Sequence, residues 1–342
     1  MKKTPSSAPP PAAAPADGTA GPRARRVEID EQSDGQRIDN FLLSELKGAP
    51  RTLVYRILRS GEVRLNSGRA KPSDRVHAGD IVRIPPLRLA SPGTPAVPGA
   101  GLVRAIEDAI LYEDEHLLVL NKPAGLAVHG GSGVSLGVIE ALRQLRPHAK
   151  FLELVHRLDR DTSGCLVIAK KRSALLALQK QMRGGSDDDE GMGKIYLVLV
   201  KGRWKGRQHR IEAPLQKNTL ASGERMVRVS RDGKQSITEF EVIERFADCS
   251  LVEARLLTGR THQIRVHCQH AGHPVGGDPK YGDEAFNREL RQRGLKRMFL
   301  HAMRLDFSHP ADERAMRMEA PPDAALTAIL ATLRATEAPR GD

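Results

Sequence analysis

The sequence predicts an α+β protein, in which a mixed, largely antiparallel sheet forms the larger domain and a small α/β unit precedes it. Strand-like apolar segments outnumber helical ones in the C-terminal part of the chain. Short turns or loops join most of these segments, which favours antiparallel pairing over a parallel doubly wound sheet. A short, strongly basic segment comes first, and a Pro/Gly-rich stretch separates the two parts.

The composition is that of a basic protein with enough apolar residues for a sizeable core. The 342 residues include 54 Lys or Arg and 42 Asp or Glu, a net charge of +12, and 39% are hydrophobic. This length suggests about two domains. Apolar runs are far shorter than the roughly 18 residues of a membrane span, and the proline-rich start does not resemble a secretory signal. Nucleic acid and acidic membrane surfaces remain as partner classes.

The cysteines indicate a reducing compartment. There are three, at positions 165, 249 and 268, without a C-x-x-C spacing. An odd number so arranged disfavours both a disulfide framework and a zinc ribbon, and the cytoplasm fits best. Cys165 could be a nucleophile, but its place at the start of an apolar strand favours a buried, inert thiol.

Composition also divides the chain into segments. Residues 1–25 carry almost no large apolar side chains, so nothing offsets the entropy of ordering them, and we predict a disordered tail. We further predict a basic α/β domain over 26–90, a Pro/Gly linker over 91–108, the larger domain over 109–333 and a C-terminal tail over 334–342.

The basic segment concentrates the positive charge. Residues 36–88 contain 11 basic and 5 acidic residues, which is half of the net charge of the chain. The elements predicted here are two helices and a strand, at residues 38–46, 53–58 and 80–84. Arg51, Arg56 and Arg59 lie on or beside the second helix. They form either a solvated charged face or a nucleic-acid docking surface that contacts phosphates.

In the larger domain, apolar alternation and helical spacing predict the remaining elements. The predicted strands are at residues 117–121, 152–158, 165–170, 194–201, 236–243, 249–256 and 316–320. The predicted helices are at residues 137–145, 173–183, 261–271 and 324–333.

The densest polar cluster is HRLDRDTSG at residues 156–164, between two predicted strands. Several of these residues are ordinary turn formers, yet the cluster holds more ionisable groups than a turn requires. Asp159 and Asp161 suggest an acid/base pair of the glycosidase kind or a divalent-metal site. The neighbouring basic groups disfavour a metal and favour an ionised aspartate, which is the state that a nucleophile needs.

A second polar cluster, at residues 258–274, contains four histidines and Cys268. Thr261 can cap the start of a helix, and Gly272 with Pro274 ends it. The histidines invite a zinc hypothesis, but neither H-E-x-x-H nor C-x-x-C spacing is present, so hydrogen-bonded or solvent-facing histidines are favoured. The glycines at 130–133 lack the Lys-Ser/Thr of a nucleotide-binding loop.

The order of these motifs carries two resemblances. Residues 37–84 resemble an S4-type RNA-binding domain, with Ser67 as one extra residue in its Asn-Gly turn. The rest resembles the RluA-type pseudouridine synthases, most closely the RluC type, whose members modify several uridines of 23S ribosomal RNA. The motifs are NKPAGLAVHGGSG at 121–133, HRLDRDTSG, GKIYLVLVKG at 193–202, TGRTHQIRVH at 258–267, GHP, GDPKYG, and LHAMRLDF at 300–307.

The resemblance implies an isomerisation in which the N1–C1′ bond of uridine breaks and the base rejoins through C5, without cofactor or metal. It implies that Asp159 is the nucleophile, acting on the ribose or on the uracil ring, and that Arg265 pairs with it. Tyr196 would place its ring against the target base. Arg157 would fill the gap left when the base flips out of its stack, and Ile264 would pack near the base.

The implied partner is 23S ribosomal RNA or an assembly intermediate of the large subunit, with no membrane and no nucleotide cofactor. Nothing in the sequence requires more than a monomer. Two other readings remain: a non-catalytic RNA-binding or ribosome-assembly protein, and a glycosidase-like hydrolase that uses Asp159 and Asp161 and releases the base. The acidic stretch at 184–191 departs from the family pattern, and we expect a surface loop there.

Overall fold

In this computed structural model the chain divides into two compact units, Met1–Pro95 and Ala96–Asp342. The structure describes residues 24–46, 49–87, 98–130, 136–184, 191–219 and 225–337. Four parts of the chain lie outside the described residues: the predicted N-terminal tail up to residue 23, the first part of the predicted linker at 91–97, most of the acidic stretch, at 185–190, and the last five residues. The domain limits given above stay predictions.

The first unit combines two helices with a small antiparallel sheet. The helices are α1 (Ile38–Glu45) and α2 (Arg51–Arg59), and the strands are β1 (Arg25–Glu28), β2 (Arg64–Leu65), β3 (Gly68–Arg69) and β4 (Ile81–Ile84). The strand order is β1-β4-β2-β3. Leu42 of α1 and Ile57 of α2 are fully buried in one core with Val82 of β4. The helical spacing in the sequence therefore reflects faces that pack on this sheet.

The second unit contains the remaining elements. Its strands are β5 (Ile110–Glu113), β6 (Leu117–Lys122), β7 (Glu153–Leu154), β8 (Ser163–Ala169), β9 (Gly193–Lys201), β10 (Gln208–Glu212), β11 (Leu215–Thr219), β12 (Arg225–Val229), β13 (Ile237–Arg245), β14 (Cys249–Leu256), β15 (Leu300–Ser308) and β16 (Ala315–Glu319). Its helices are α3 (Ala100–Glu107), α4 (Val138–Leu145), α5 (Arg172–Arg183), α6 (Gln263–His270), α7 (Glu284–Gln292) and α8 (Ala324–Glu337).

One large sheet organises this unit. Its strand order is β10-β13-β14-β9-β15-β8-β6-β5, with β16 beside β15 and β7 beside β8. Every pairing in it is antiparallel except the short one between β15 and β8. Strands β11 and β12 form a separate hairpin. The α+β class with a mixed, largely antiparallel sheet is confirmed.

The two faces of the sheet carry different cores. Tyr196 and Val198 of β9 share a core with Ile264 and Cys268 of α6 on one face. Leu199, which points to the opposite face, packs in a core with residues of α7 and α8. Helix α6, which carries the second polar cluster, therefore lies against the β9 side of the sheet. None of the described helices is long and apolar enough to cross a membrane.

Gly164 joins the polar loop to the middle of the sheet. It is the second residue of β8 and has φ of 108°, a conformation that residues with a side chain rarely adopt. A Cβ atom at this position would lie 2.2 Å from the carbonyl oxygen of Ala302. Glycine is therefore needed for β8 to approach β15, and this approach fixes the end of the HRLDRDTSG loop.

Several predicted elements differ from the structure. The strand predicted at 152–158 covers only Glu153–Leu154, because the chain then turns into the polar loop. The second half of the predicted linker forms α3, in which Ile106 is buried against the core. Strand β15 was not predicted, since His301, Arg304 and Asp306 interrupt its apolar pattern.

Candidate active site

The loop between β7 and β8 presents Asp159 from a fixed backbone. Leu158 beside it is buried in the core, and Thr162 N donates to Asp159 O at 3.2 Å. Lys122 Nζ donates to the carbonyl oxygen of Arg160 at 3.0 Å. Contacts on both sides of Asp159 thus hold the loop, while 31% of the Asp159 side chain remains exposed.

Arg265 of α6 links Asp159 to a second, buried carboxylate. Its Nη1 donates to Asp159 Oδ2 at 3.0 Å. The other edge of the guanidinium binds Asp278 twice, with Nε donating to Oδ2 at 2.7 Å and Nη2 donating to Oδ1 at 2.8 Å. The Arg265 side chain is 8% exposed and that of Asp278 is fully buried. Asp278 therefore fixes the guanidinium, and Asp159 is the carboxylate that a substrate can reach.

The charges of this cluster support one another. Burial opposes the charge on Arg265, but hydrogen bonds and charges from Asp278 and Asp159 raise the pKa of the guanidinium. Burial also opposes ionisation of Asp278, and the arginine nevertheless lowers the pKa of that carboxyl. A buried guanidinium in this state is a permanent positive charge beside Asp159.

Tyr196 and Ile264 lie in the same core beside this cluster. Tyr196 of β9 is 8% exposed and Ile264 of α6 is 4% exposed. Burial, and then the negative charge of Asp159, raise the pKa of Tyr196, so that its hydroxyl keeps its proton at neutral pH. Among the described residues this hydroxyl has no hydrogen-bond partner. It is available to a bound molecule.

The predicted RNA-contacting arginines are exposed. The guanidinium of Arg157, two residues before Asp159, has no ion pair with any described residue. Burial, and then the charge of Arg157, lower the pKa of His129. In the first unit, Arg51, Arg56 and Arg59 are exposed on α2, whereas Ile57 between them is fully buried. The structure therefore brings Asp159, Arg265, Tyr196 and Ile264 together and describes the α2 arginines within a separate unit.

Lys122 is not among the predicted site residues, although it belongs to the NKPAG motif. It is fully buried, and its Nζ donates to the carbonyl oxygens of Pro123, Leu126 and Arg160 at 2.8, 2.9 and 3.0 Å. Burial, and then the charge of Arg297, lower the pKa of Lys122 to about 7. The three carbonyl oxygens match the three donors of an ammonium group, so this lysine ties β6 to the loop of Asp159. The detectable signal was a lysine at the end of an apolar strand.

Three further residues of the site were also missed. Asp278 and Tyr281 belong to the GDPKYG motif, and His262 belongs to TGRTHQIRVH. His262, rather than Thr261, occupies the position before α6, which begins at Gln263. The available signal for Asp278 was its motif, which contains a single acidic residue in a glycine-rich turn, but no spacing rule connects that turn to Asp159.

Three other residues that the sequence suggests for a site are Cys165, His267 and Asp161. Burial raises the pKa of the Cys165 thiol to about 12, which agrees with the inert thiol favoured from the sequence. His267 is hydrogen-bonded to Thr238 and approaches the Ala213 carbonyl oxygen, so it is a satisfied core histidine. Asp161 accepts from Arg160 Nε at 3.2 Å. Asp159 instead accepts from Arg265, so the two aspartates have different arginine partners.

His156, the first residue of the polar loop, is hydrogen-bonded through its side chain to the backbone of β8. Its Nε2 accepts a hydrogen bond from Val167 N of β8 at 3.1 Å, in place of a strand carbonyl. Burial, and then the charge of Lys194, lower the pKa of His156 from 6.5 to about 4. Only the neutral imidazole can accept this bond, so acid should weaken the anchor of the loop.

We therefore expect the protein to lose stability in mild acid through His156. The His156 side chain takes up a proton near pH 6.5 in the unfolded chain and only near pH 4 in the folded protein. Its contribution to the free energy of unfolding is therefore complete above pH 6.5 and falls as the pH drops to 4. The loss is about 3 kcal/mol over this range. Urea denaturation at both pH values should show a smaller loss for His156→Gln, whose amide oxygen can still accept from Val167. Equal losses in the two proteins would refute this assignment.

Comparisons with known proteins show to which family the chain belongs. Residues 116–270 match the RNA pseudouridylate synthase family, and residues 36–82 match the S4 domain. The chain is 56% identical over 319 residues to the ribosomal large subunit pseudouridine synthase C of Salmonella typhimurium, covering 92% of this chain and 98% of that protein. The protein of the same name from Pasteurella multocida is 54% identical over 311 residues, covering 91% and 94%.

Solved structures give the same result for the fold. Human RNA pseudouridylate synthase domain containing 4 superimposes with a TM-score of 0.55 at 26% identity, over 68% of this chain and 96% of that one. Human RNA pseudouridylate synthase domain containing 1 has a TM-score of 0.53 at 27% identity, over 71% and 99%. With relatives above half identity over nearly its whole length, the chain belongs to the RNA pseudouridylate synthase family and is an RNA pseudouridine synthase with an S4 domain.

Proposed function

We propose that this enzyme converts several specific uridines of 23S ribosomal RNA to pseudouridine, in the large subunit or in one of its assembly intermediates. The observation that carries the proposal is the reachable Asp159 carboxylate, paired with the buried Arg265–Asp278 ion pair. The relatives that match nearly the full length of the chain are named for the large ribosomal subunit. The S4 domain supports RNA as the partner.

The reaction is an isomerisation whose atoms balance within the nucleotide. The N1–C1′ bond breaks, the uracil turns, and a C5–C1′ bond forms. C5 loses a proton and N1 gains one, so no group is transferred and no electron leaves the nucleotide. The protein must supply a nucleophile, an environment for the detached base and a path for one proton.

The residues around Asp159 fit these tasks. Asp159 acts as the nucleophile, and Arg265 holds one of its carboxylate oxygens by a hydrogen bond. Tyr196 lies against the base, and its protonated hydroxyl can take part in the proton transfer. Ile264 supplies an apolar contact from α6.

The target uridine must leave its stack before Asp159 can reach it, which costs a few kcal/mol. Arg157 is exposed two residues before Asp159, and a planar guanidinium can stack between bases in the place of the flipped one. We assign this role to Arg157. The enzyme would act as a monomer in the cytoplasm, and its three cysteines, which are buried and form no disulfide, suit that compartment.

The exposed arginines of α2 should contribute to RNA affinity through phosphate contacts. For the variant with Arg51, Arg56 and Arg59 replaced by glutamine, we expect weaker binding and a smaller salt dependence. Loss of three phosphate contacts lowers the slope of log K against log salt by about 2–3. A binding titration at several salt concentrations measures this slope.

A control variant carries the same change of charge at exposed arginines that already have acidic partners. These are Arg288, Arg317 and Arg334, paired with Glu284, Asp306 and Glu244. Because these charges are locally neutralised, their replacement should change the slope less. If both triple variants have the slope of the wild type or change it equally, α2 is not the phosphate-binding surface.

The proposal as a whole is tested by mapping pseudouridines in 23S ribosomal RNA before and after incubation with the purified protein. New pseudouridines at a few defined positions would support it. Binding without modification would favour the non-catalytic reading, and release of free uracil would favour the hydrolase.

A further inference from the structure

His262 lies beside Asp159, the proposed nucleophile, and has no role in the proposed reaction. It precedes α6 with φ of 55°, in the left-handed region that β-carbon sterics disfavour. This backbone directs the imidazole towards the loop of Asp159, and its Nε2 lies 3.6 Å from Asp159 Oδ2. The side chain is 16% exposed. A strained residue beside a reacting group suggests a role in the site.

A chain of hydrogen bonds determines where the proton of this imidazole lies. The backbone N–H of Val227, in β12, donates to the hydroxyl oxygen of Tyr281 at 2.9 Å. The same hydroxyl is 2.8 Å from His262 Nδ1. Tyr281 is 2% exposed, so its hydroxyl proton needs an acceptor, and Nδ1 is the one that the described residues offer. Nδ1 is then the acceptor, and the proton of the neutral imidazole lies on Nε2.

The charge state of the ring fits this chain. Burial lowers the pKa of His262, although the charge of Asp159 opposes the shift. The ring is therefore neutral at physiological pH, and its Nε2–H faces the carboxylate. At 3.6 Å this group is slightly beyond hydrogen-bond distance in the free protein, and a small rotation of either side chain would complete the bond.

Two donors then converge on one oxygen of Asp159. Arg265 Nη1 binds Oδ2 at 3.0 Å, and His262 Nε2 approaches the same atom. Oδ1 has no hydrogen-bond partner among the described residues. Holding one oxygen leaves the other oriented for reaction, which is how a carboxylate nucleophile is prepared.

We propose that His262 is a positioning residue for Asp159, with its Nε2–H proton set by the Tyr281 hydroxyl, so that Oδ2 is held and Oδ1 faces the substrate. This inference rests on the proposed role of Asp159. It adds that Val227 of the β11–β12 hairpin, which donates to the Tyr281 hydroxyl, helps to fix the orientation of the Asp159 carboxylate through His262.

The first test measures the tautomer in the full-length protein by NMR with ¹⁵N-labelled histidine. The His262 signals are assigned by their absence in His262→Gln. We expect the Nε2–H tautomer in the wild type and a mixture of tautomers in Tyr281→Phe, which lacks the hydroxyl donor. Tyr112→Phe removes a hydroxyl bonded to Asp114, elsewhere in the unit, and should leave the signals unchanged. An Nδ1–H tautomer in the wild type, or no change in Tyr281→Phe, would overturn the proposal.

The second test compares two replacements of His262 in pseudouridine formation. Leucine removes the donor, and we expect kcat to fall at least tenfold with little change in KM, since His262 acts through Asp159. Glutamine can place an amide N–H near the position of Nε2, so His262→Gln should recover most of that loss. Equal kcat values for the two variants would contradict the positioning role. The NMR result does not depend on activity, so failure of the Asp159 assignment would be seen separately.

Discussion

Replacing Asp159 by asparagine should abolish pseudouridine formation while leaving the fold and RNA affinity nearly intact. The amide oxygen can still accept the hydrogen bond from Arg265, and Asp278 still neutralises the guanidinium. The variant loses only the negative charge and nucleophilic oxygen of residue 159. Removal of a nucleophile lowers kcat by at least about 1,000-fold. Single-turnover assays with pseudouridine detection, together with an RNA-binding titration, measure the two properties.

Asp161→Asn is the matched control, because it makes the same chemical change two residues further along the same loop. Asp161 pairs with Arg160, and its side chain is 37% exposed. The isomerase mechanism does not require it, whereas a hydrolase that uses both carboxylates would lose activity in either variant. Normal turnover in Asp159→Asn would show that the nucleophile lies elsewhere.

Replacing Arg265 by methionine should impair both stability and catalysis. The Asp278 side chain is fully buried, and without Arg265 it would be an unpaired charge. Loss of one partner of a buried ion pair costs about 3–5 kcal/mol. Asp159 would also lose its charged donor. Urea denaturation and single-turnover kinetics measure the two losses.

The double variant Arg265→Met, Asp278→Asn separates these two effects. Asparagine removes the buried charge but keeps an oxygen that can accept from the backbone N–H groups of Lys280 and Tyr281. We expect most of the lost stability to return, while activity remains as low as in Arg265→Met. Recovery of activity together with stability would mean that Arg265 only supports the fold.

Much of the site was accessible from local sequence patterns. The loop around Asp159 was found because several charged residues stand between two apolar segments, and α6 was found within two residues of its ends. Most strands of the central sheet were found, either where apolar residues alternate with polar ones, as in β13, or where they run continuously, as in β8. Strand β15 was not found, because polar residues interrupt its apolar pattern. His301, for example, is fully buried and bonded to Ser163.

The motifs and their order along the chain are enough to specify the family and the α+β class, and they predict the loop that carries Asp159, because these depend on short segments. Residues 122, 262, 278 and 281 acquire their roles only through packing between segments distant in the chain. Asp159 and Arg265 are separated by 106 positions, and no periodicity relates them. The geometry around Oδ2 of Asp159 depends on how α6 lies against the sheet and on the buried carboxylate that fixes Arg265. Those contacts form only when the core closes, because a buried ion pair requires the surrounding protein to exclude water.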